Sequence, residues 1–189
     1  MQTTSKIALY SLAAWLSFAT PTLAVNLVAN GGFETGDFTS WTTEGTISNL
    51  FFVSDFTPHS GTYSVLFADI DTDSTQIYQS VTTTSGQQYT LDFWVYNLGV
   101  GENGLKVSWE GNLVLDSTPL EVPLEQWSLF SLPLSATNDG SELRFEGFDN
   151  PLGYYIDDIS LTPVPEPSRF LLAAMGLVFL AIRRQRSIG

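Results

Sequence analysis

Between residues 25 and 163, apolar and polar side chains alternate with a period close to two. The clearest run is Gln88–Asn97: Tyr89, Leu91, Phe93 and Val95 share one face, and Gln88, Thr90, Asp92, Trp94 and Tyr96 share the other. Leu105, Val107 and Trp109 alternate with Lys106, Ser108 and Glu110, and Leu143 and Phe145 alternate with Arg144 and Glu146. Residues 47–53, 63–68, 76–81, 113–116, 127–132 and 154–161 are further strand-like runs. Turn chemistry separates them, at Pro58-His59-Ser60-Gly61, Ser85-Gly86, Glu110-Gly111-Asn112 and Asn138-Asp139-Gly140. No window carries an apolar stripe of helical period. Eight or more short strands without intervening helices predict an all-β fold, an antiparallel β-sandwich. Residues 162–167 read as a linker.

The two ends break the alternation. Lys6 precedes an apolar run at 7–19, and Thr22-Leu23-Ala24 offers small residues where a signal peptidase reads, so residues 1–24 are expected to be a secretory signal peptide. Residues 163–189 run from Val164-Pro165-Glu166-Pro167 through an apolar stretch at 170–182 to Arg183, Arg184 and Arg186. As a helix that stretch spans roughly 20 Å, short against a hydrocarbon core of about 30 Å. It predicts a marginal transmembrane helix with the arginines on the cytoplasmic side. What remains, residues 25–162, is sized for one domain.

Charge is distributed unevenly. Of the 7 basic residues only Lys106 and Arg144 lie in the body, together with every acidic residue except Glu166 out of 20. Nucleic acid is excluded as a partner for so acidic a surface. Divalent cations or hydroxyl-rich ligands suit it better. There is no cysteine, so the core holds without disulfides.

The tail, with Pro165, Glu166, Pro167, an apolar stretch and Arg183, Arg184 and Arg186 in that order, resembles the PEP-CTERM sorting signal of Gram-negative bacteria and cyanobacteria. That resemblance implies an exosortase-type processing enzyme as partner and cleavage near Pro165-Glu166-Pro167. It further implies an inner-membrane-anchored precursor, delivery to the cell surface or extracellular matrix, and surroundings rich in exopolysaccharide. In the body, Asn26-Leu27-Val28-Ala29-Asn30-Gly31-Gly32-Phe33-Glu34 with Trp41 opens a second resemblance. Ser60-Gly61-Thr62-Tyr63-Ser64, Gln79-Ser80-Val81 with Gly86–Leu91, and Tyr155-Ile156-Asp157-Asp158-Ile159-Ser160-Leu161 continue it in order. Together they resemble carbohydrate-binding jelly rolls with a galactose-binding-like fold.

That second resemblance implies a structural calcium ion between the first and last strands. Glu34 would supply a carboxylate, the backbone near Gly32 and Gly61 carbonyl oxygens, and Asp157 or Asp158 would close the shell. In a regular strand the two aspartates point to opposite faces, so only one could be a ligand. Asp157 shares a face with Ile159 and Leu161 and is the preferred one. The loop Asp69-Ile70-Asp71-Thr72-Asp73 is similar to the start of an EF-hand, but Ser74 and Ser80 stand where that motif needs glycine and glutamate.

For glycan binding, aromatic rings take the apolar faces of sugars and planar polar groups take the hydroxyls. Trp94 and Tyr96 lie on the polar face of their strand beside Asp92, with Arg144 and Glu146 in the equivalent position on a later strand. The alternative is that a loop or the other sheet covers the two rings. Trp41, Trp109 and Trp127 read as core. Catalysis lacks its parts: His59 is the single histidine, in a turn, and no GxSxG, HExxH or glycine-rich phosphate loop occurs. The sequence therefore predicts a non-catalytic exported protein, either gripping polysaccharide or acting as a structural or adhesive domain.

Overall fold

The computed structural model describes residues 25–45, 50–68, 75–99, 102–150 and 153–165. The predicted signal peptide, the Asp69–Asp73 loop and the tail from Glu166 onward, with Pro167, Arg183, Arg184 and Arg186, lie outside the described residues. So does most of the run at 47–50 that leads into the second strand.

Ten strands form among the described residues: β1 (Thr42–Glu44), β2 (Phe51–Ser54), β3 (Ser64–Phe67), β4 (Thr75–Val81), β5 (Gln88–Asn97), β6 (Glu102–Trp109), β7 (Asn112–Ser117), β8 (Trp127–Ser135), β9 (Ser141–Asn150) and β10 (Tyr154–Pro163). They make two antiparallel five-stranded sheets, ordered β1-β4-β9-β6-β7 and β2-β3-β10-β5-β8. The alternation seen in the sequence is the cause. Tyr89, Leu91, Phe93 and Val95 of β5 are buried against Leu105, Val107, Trp109, Leu143 and Phe145 of the facing sheet, and the residues between them look outward. Phe93 stacks on Phe130 at 5.1 Å and meets Phe145 edge-on, also at 5.1 Å. Each side chain buried this completely contributes about 1.5–3 kcal/mol. Strand β1 carries too little alternation to be seen in the sequence.

The N-terminal segment runs beside β10 and closes the sandwich. Leu27 donates its amide to the Leu161 carbonyl at 2.9 Å, and Ile159 donates to the Gly31 carbonyl at 2.9 Å. Asn26 completes the seam, accepting the Leu161 amide at 2.9 Å and donating to the Ile159 carbonyl at 3.1 Å. A Cβ at Gly31 would sit 2.0 Å from the Ile159 carbonyl oxygen, so the approach requires glycine.

Four expectations change. β10 carries a bulge: Asp157 pairs with Trp94 and Ser160 with Asp92, so Asp158 and Ile159 stand opposite Phe93 alone. Asp158 absorbs the extra residue with φ of +50°. Asp157 therefore lies on the outer face beside Trp94, not on the core side with Ile159 and Leu161. Secondly, β5 and β9 belong to different sheets, so Arg144 and Glu146 are not neighbours of Trp94 and Tyr96. Trp127 is half-buried in a small outer cluster with Tyr96 and Tyr155, whereas Trp41 and Trp109 are core as expected. Lastly, the sandwich continues past residue 162. Pro163 pairs with Tyr89 and the Val164 amide donates to the Gln88 carbonyl at 2.9 Å, which leaves no free linker before Pro165.

Candidate functional site

The outer face of the second sheet is built by register. Trp94 has Asp157 on one side and Leu129 on the other; Asp92 has Ser160 and Ser131; Tyr96 has Tyr155 and Trp127. Between the bulge of β10, the N-terminal segment and β8 lies an open groove of about 380 Å³, lined by Asn26, Gly32, Asp92, Trp94, Leu129, Asp158, Ile159 and Ser160. Trp94 is half-buried, and Leu129 is exposed. Asp92 is half-buried and has no hydrogen-bond or ion-pair partner among the described residues. An indole beside an unpartnered carboxylate, with amide and hydroxyl groups around them, presents an apolar ring and hydrogen-bonding groups together in one open groove.

One side of Trp94 is already taken. His59 stacks on it at 4.0 Å with the rings 18° from parallel, and meets Trp127 edge-on at 5.3 Å. The bulge holds His59 there. Its amide donates to Asp157 Oδ2 at 2.8 Å, and its ring Nδ1 lies 2.6 Å from Asp158 Oδ2. Ser60 adds an amide to Asp157 Oδ2 at 3.2 Å and a hydroxyl to Asp158 Oδ1 at 2.7 Å. Both aspartates thus reach the same loop, which a regular strand would forbid. Burial pushes the Asp157 carboxyl up to about 6, even though the amides of Ser60, Asp158 and His59 pull it down.

Of the residues implied as calcium ligands, Gly61 lies against the Glu34 carboxylate, and Gly32 lies beside Asp157 and Asp158. Glu34 accepts the amides of Thr62 and Tyr63 at 3.0 Å, and Gly61, with φ of +62°, packs so close that a Cβ would lie 2.5 Å from the Glu34 carboxylate. A Cβ at Gly32 would lie 3.4 Å from Asp158 Oδ1 and 3.8 Å from Asp157 Oδ1. These are hard oxygens of the kind calcium takes. Among the described residues no group of three or more acidic or imidazole side chains is arranged to hold a metal, so an ion here would depend on backbone oxygens as well.

Arg144 and Glu146 occupy the opposite face of the molecule. Arg144 donates to Glu142 and Glu44, each at 2.9 Å, bonds Gln76, and covers the Tyr78 ring at 4.1 Å. The pairs with Glu142 and Glu44 raise its pKa against the opposing effect of burial. Lys106 lies 3.7 Å from Glu146. Both cations of the body are therefore on the first sheet's outer face, engaged with carboxylates. Of the five residues expected to bind glycan, Asp92 and Trp94 line the groove, Tyr96 lies on the same face outside it, packed against Trp127 and Tyr155, and Arg144 and Glu146 are absent from it. Sequence reasoning missed His59, Asn26, Leu129 and Ser160. Only the odd spacing from Ile156 to Ile159 hints at the bulge that assembles them.

Two antiparallel five-stranded sheets closed by an N-terminal seam define a β-sandwich of the jelly-roll class. A family model described as a carbohydrate binding domain matches residues 25–147, and the chain belongs to that family. A model of the PEP-CTERM protein-sorting motif matches residues 163–186. Among solved structures, TmCBM61 in complex with β-1,4-galactotriose superposes with a TM-score of 0.56 at 23% identity, covering 75% of this chain and 100% of that one. The CBM22-1 xylan-binding domain of Paenibacillus barcinonensis Xyn10C gives 0.55 at 16%, covering 78% and 99%. The K3 adhesin domain of Lys-gingipain from Porphyromonas gingivalis gives 0.58 at 18%, covering 74% and 96%. These likenesses show the fold. The multifunctional-autoprocessing repeats-in-toxin of Vibrio vulnificus is 26% identical over 144 residues, 73% of this chain but 3% of that protein.

Proposed function

We propose that the protein is a non-catalytic, exported polysaccharide-binding protein that grips glycan in the groove floored by Trp94. The unpartnered Asp92 carboxylate beside that indole carries the reading. A sugar would stack an apolar face on the part of the indole that His59 does not cover, while Asp92, Asn26 and Ser160 take its hydroxyls and Leu129 covers its edge. The sorting tail supports delivery through an inner-membrane-anchored precursor, with an exosortase-type enzyme removing residues 170–189 before the sandwich reaches the surface or matrix. Calcium held by Glu34, Asp157 or Asp158 and carbonyls near Gly32 and Gly61 would clamp the N-terminal segment to β10 and add stability by mass action. A panel of immobilised polysaccharides, with calcium and with chelator, tests the proposal: retention on at least one neutral glycan is expected. Absence of retention on every glycan would leave the second reading, a structural or adhesive domain, which the likeness to the K3 adhesin fold favours.

A further inference from the structure

The titratable side chains that line the groove are all acidic, and His59, stacked on Trp94 beside it, is bonded to one of them, Asp158. The other is Asp92, and the two cations of the body, Lys106 and Arg144, are tied to carboxylates on the far sheet. Asp158 is partly satisfied by His59 and Ser60, but Asp92 has no partner among the described residues and lies two residues from Trp94 along β5. A uronate or sulfate here would meet the Asp92 carboxylate, while His59, the one basic side chain among the described residues in contact with Trp94, is already engaged by Asp158. A protonated amine would gain an ion pair with Asp92 and, if it reaches the ring face, a cation–π contact with Trp94.

We infer that the groove selects amino sugars, binding glycans with free, protonated amino groups in preference to their N-acetylated counterparts and rejecting uronic-acid glycans. The inference rests on the glycan-binding reading and adds the charge of the ligand to it. An Asp92–ammonium contact in a half-exposed groove corresponds to a preference of about tenfold, weakening as salt rises.

The test is calorimetric titration of the protein with three oligosaccharides of equal length, at a pH where the amines are protonated and at low and high salt. The probes are a fully deacetylated chitosan oligomer, its fully N-acetylated form, and oligogalacturonate. Because the whole surface is acidic, the comparison includes Asp92→Asn in the groove and Asp116→Asn on the exposed far sheet. The expected result is that the deacetylated oligomer binds about tenfold more tightly than the acetylated one. Asp92→Asn should remove that margin and Asp116→Asn should leave it. Equal affinity for the two forms, tighter binding of oligogalacturonate, or a margin that both variants reduce alike would overturn the charge selection and leave glycan binding standing. Failure of the protein to bind any glycan, here and on the polysaccharide panel, would remove both.

Discussion

Replacing Trp94 and Tyr96 separately divides binding from stability. The two rings lie on the same outer face of β5, yet only Trp94 borders the groove, while Tyr96 packs against Trp127 at 5.4 Å and Tyr155 at 6.4 Å. For Trp94→Ala the protein loses the His59 stack, about 0.5–1.5 kcal/mol, and part of a half-buried surface. That makes a destabilisation of about 1–2 kcal/mol, well short of the 3–5 kcal/mol of a fully buried tryptophan. The ligand loses its platform. Truncation of such an anchor costs about 2 kcal/mol or more of binding, or roughly thirtyfold in Kd. Tyr96→Ala should reverse the pattern, with about 2–3 kcal/mol of stability lost and Kd within about threefold. Denaturant unfolding gives the first quantity. Titration with an oligosaccharide chosen from the panel gives the second. Trp94→Phe, which keeps a ring, guards against loss of folding and should retain intermediate affinity. Binding lost in Tyr96→Ala but intact in Trp94→Ala would refute the assignment of the groove.

Three other outcomes follow from the charges. Asp157 has its folded pKa raised from 3.8 to about 6, so the folded state holds its proton more tightly than the unfolded chain. Stability in chelator should therefore fall as pH rises from about 4 to about 6, by up to about 3 kcal/mol, and Asp157→Asn should flatten that slope in pH-dependent melting. Glu110 behaves in the opposite sense. Burial pushes its pKa up, but hydrogen bonds from Ser141 and Thr137 and the amides of Thr137 and Asn138 hold it down at about 2, from 4.5. Its stabilisation is present above pH 4.5 and lost toward pH 2, and Glu110→Gln should remove that part of the acid transition seen by circular dichroism. Arg144→Ala should cost about 1 kcal/mol or less of stability, since its ion pairs are partly exposed, and leave glycan affinity unchanged by titration.

The fold was legible because alternation over Gln88–Asn97, 105–109 and 143–146 reports which face is buried, and ten-residue spacing leaves no room for helices. Trp94 and Asp92 were legible for the same reason, as polar-face positions on a strand. What stayed hidden depends on distant pairing. Nothing local says that β5 and β9 are in different sheets, so Arg144 and Glu146 could not be separated from Trp94. The phase slip between Ile156 and Ile159 is visible in the sequence. Its consequence, Asp157 turned out to meet His59 and Ser60 nearly a hundred residues away, required the tertiary fold. His59 reads as a turn residue until the loop that carries it is laid over the Trp94 ring. Residues 162–164 look like linker because Thr162 and Pro163 say nothing of Thr90 and Tyr89 opposite them.

The most direct measurement is a nuclear magnetic resonance titration of the isotopically labelled protein with a glycan from the panel. The account predicts that the Trp94 indole, the Asp92 and Ser160 amides and the Asn26 side chain shift and saturate together, with Tyr78 and Arg144 unmoved. Shifts confined to Tyr78, Arg144 and Glu146 on the opposite sheet would contradict it.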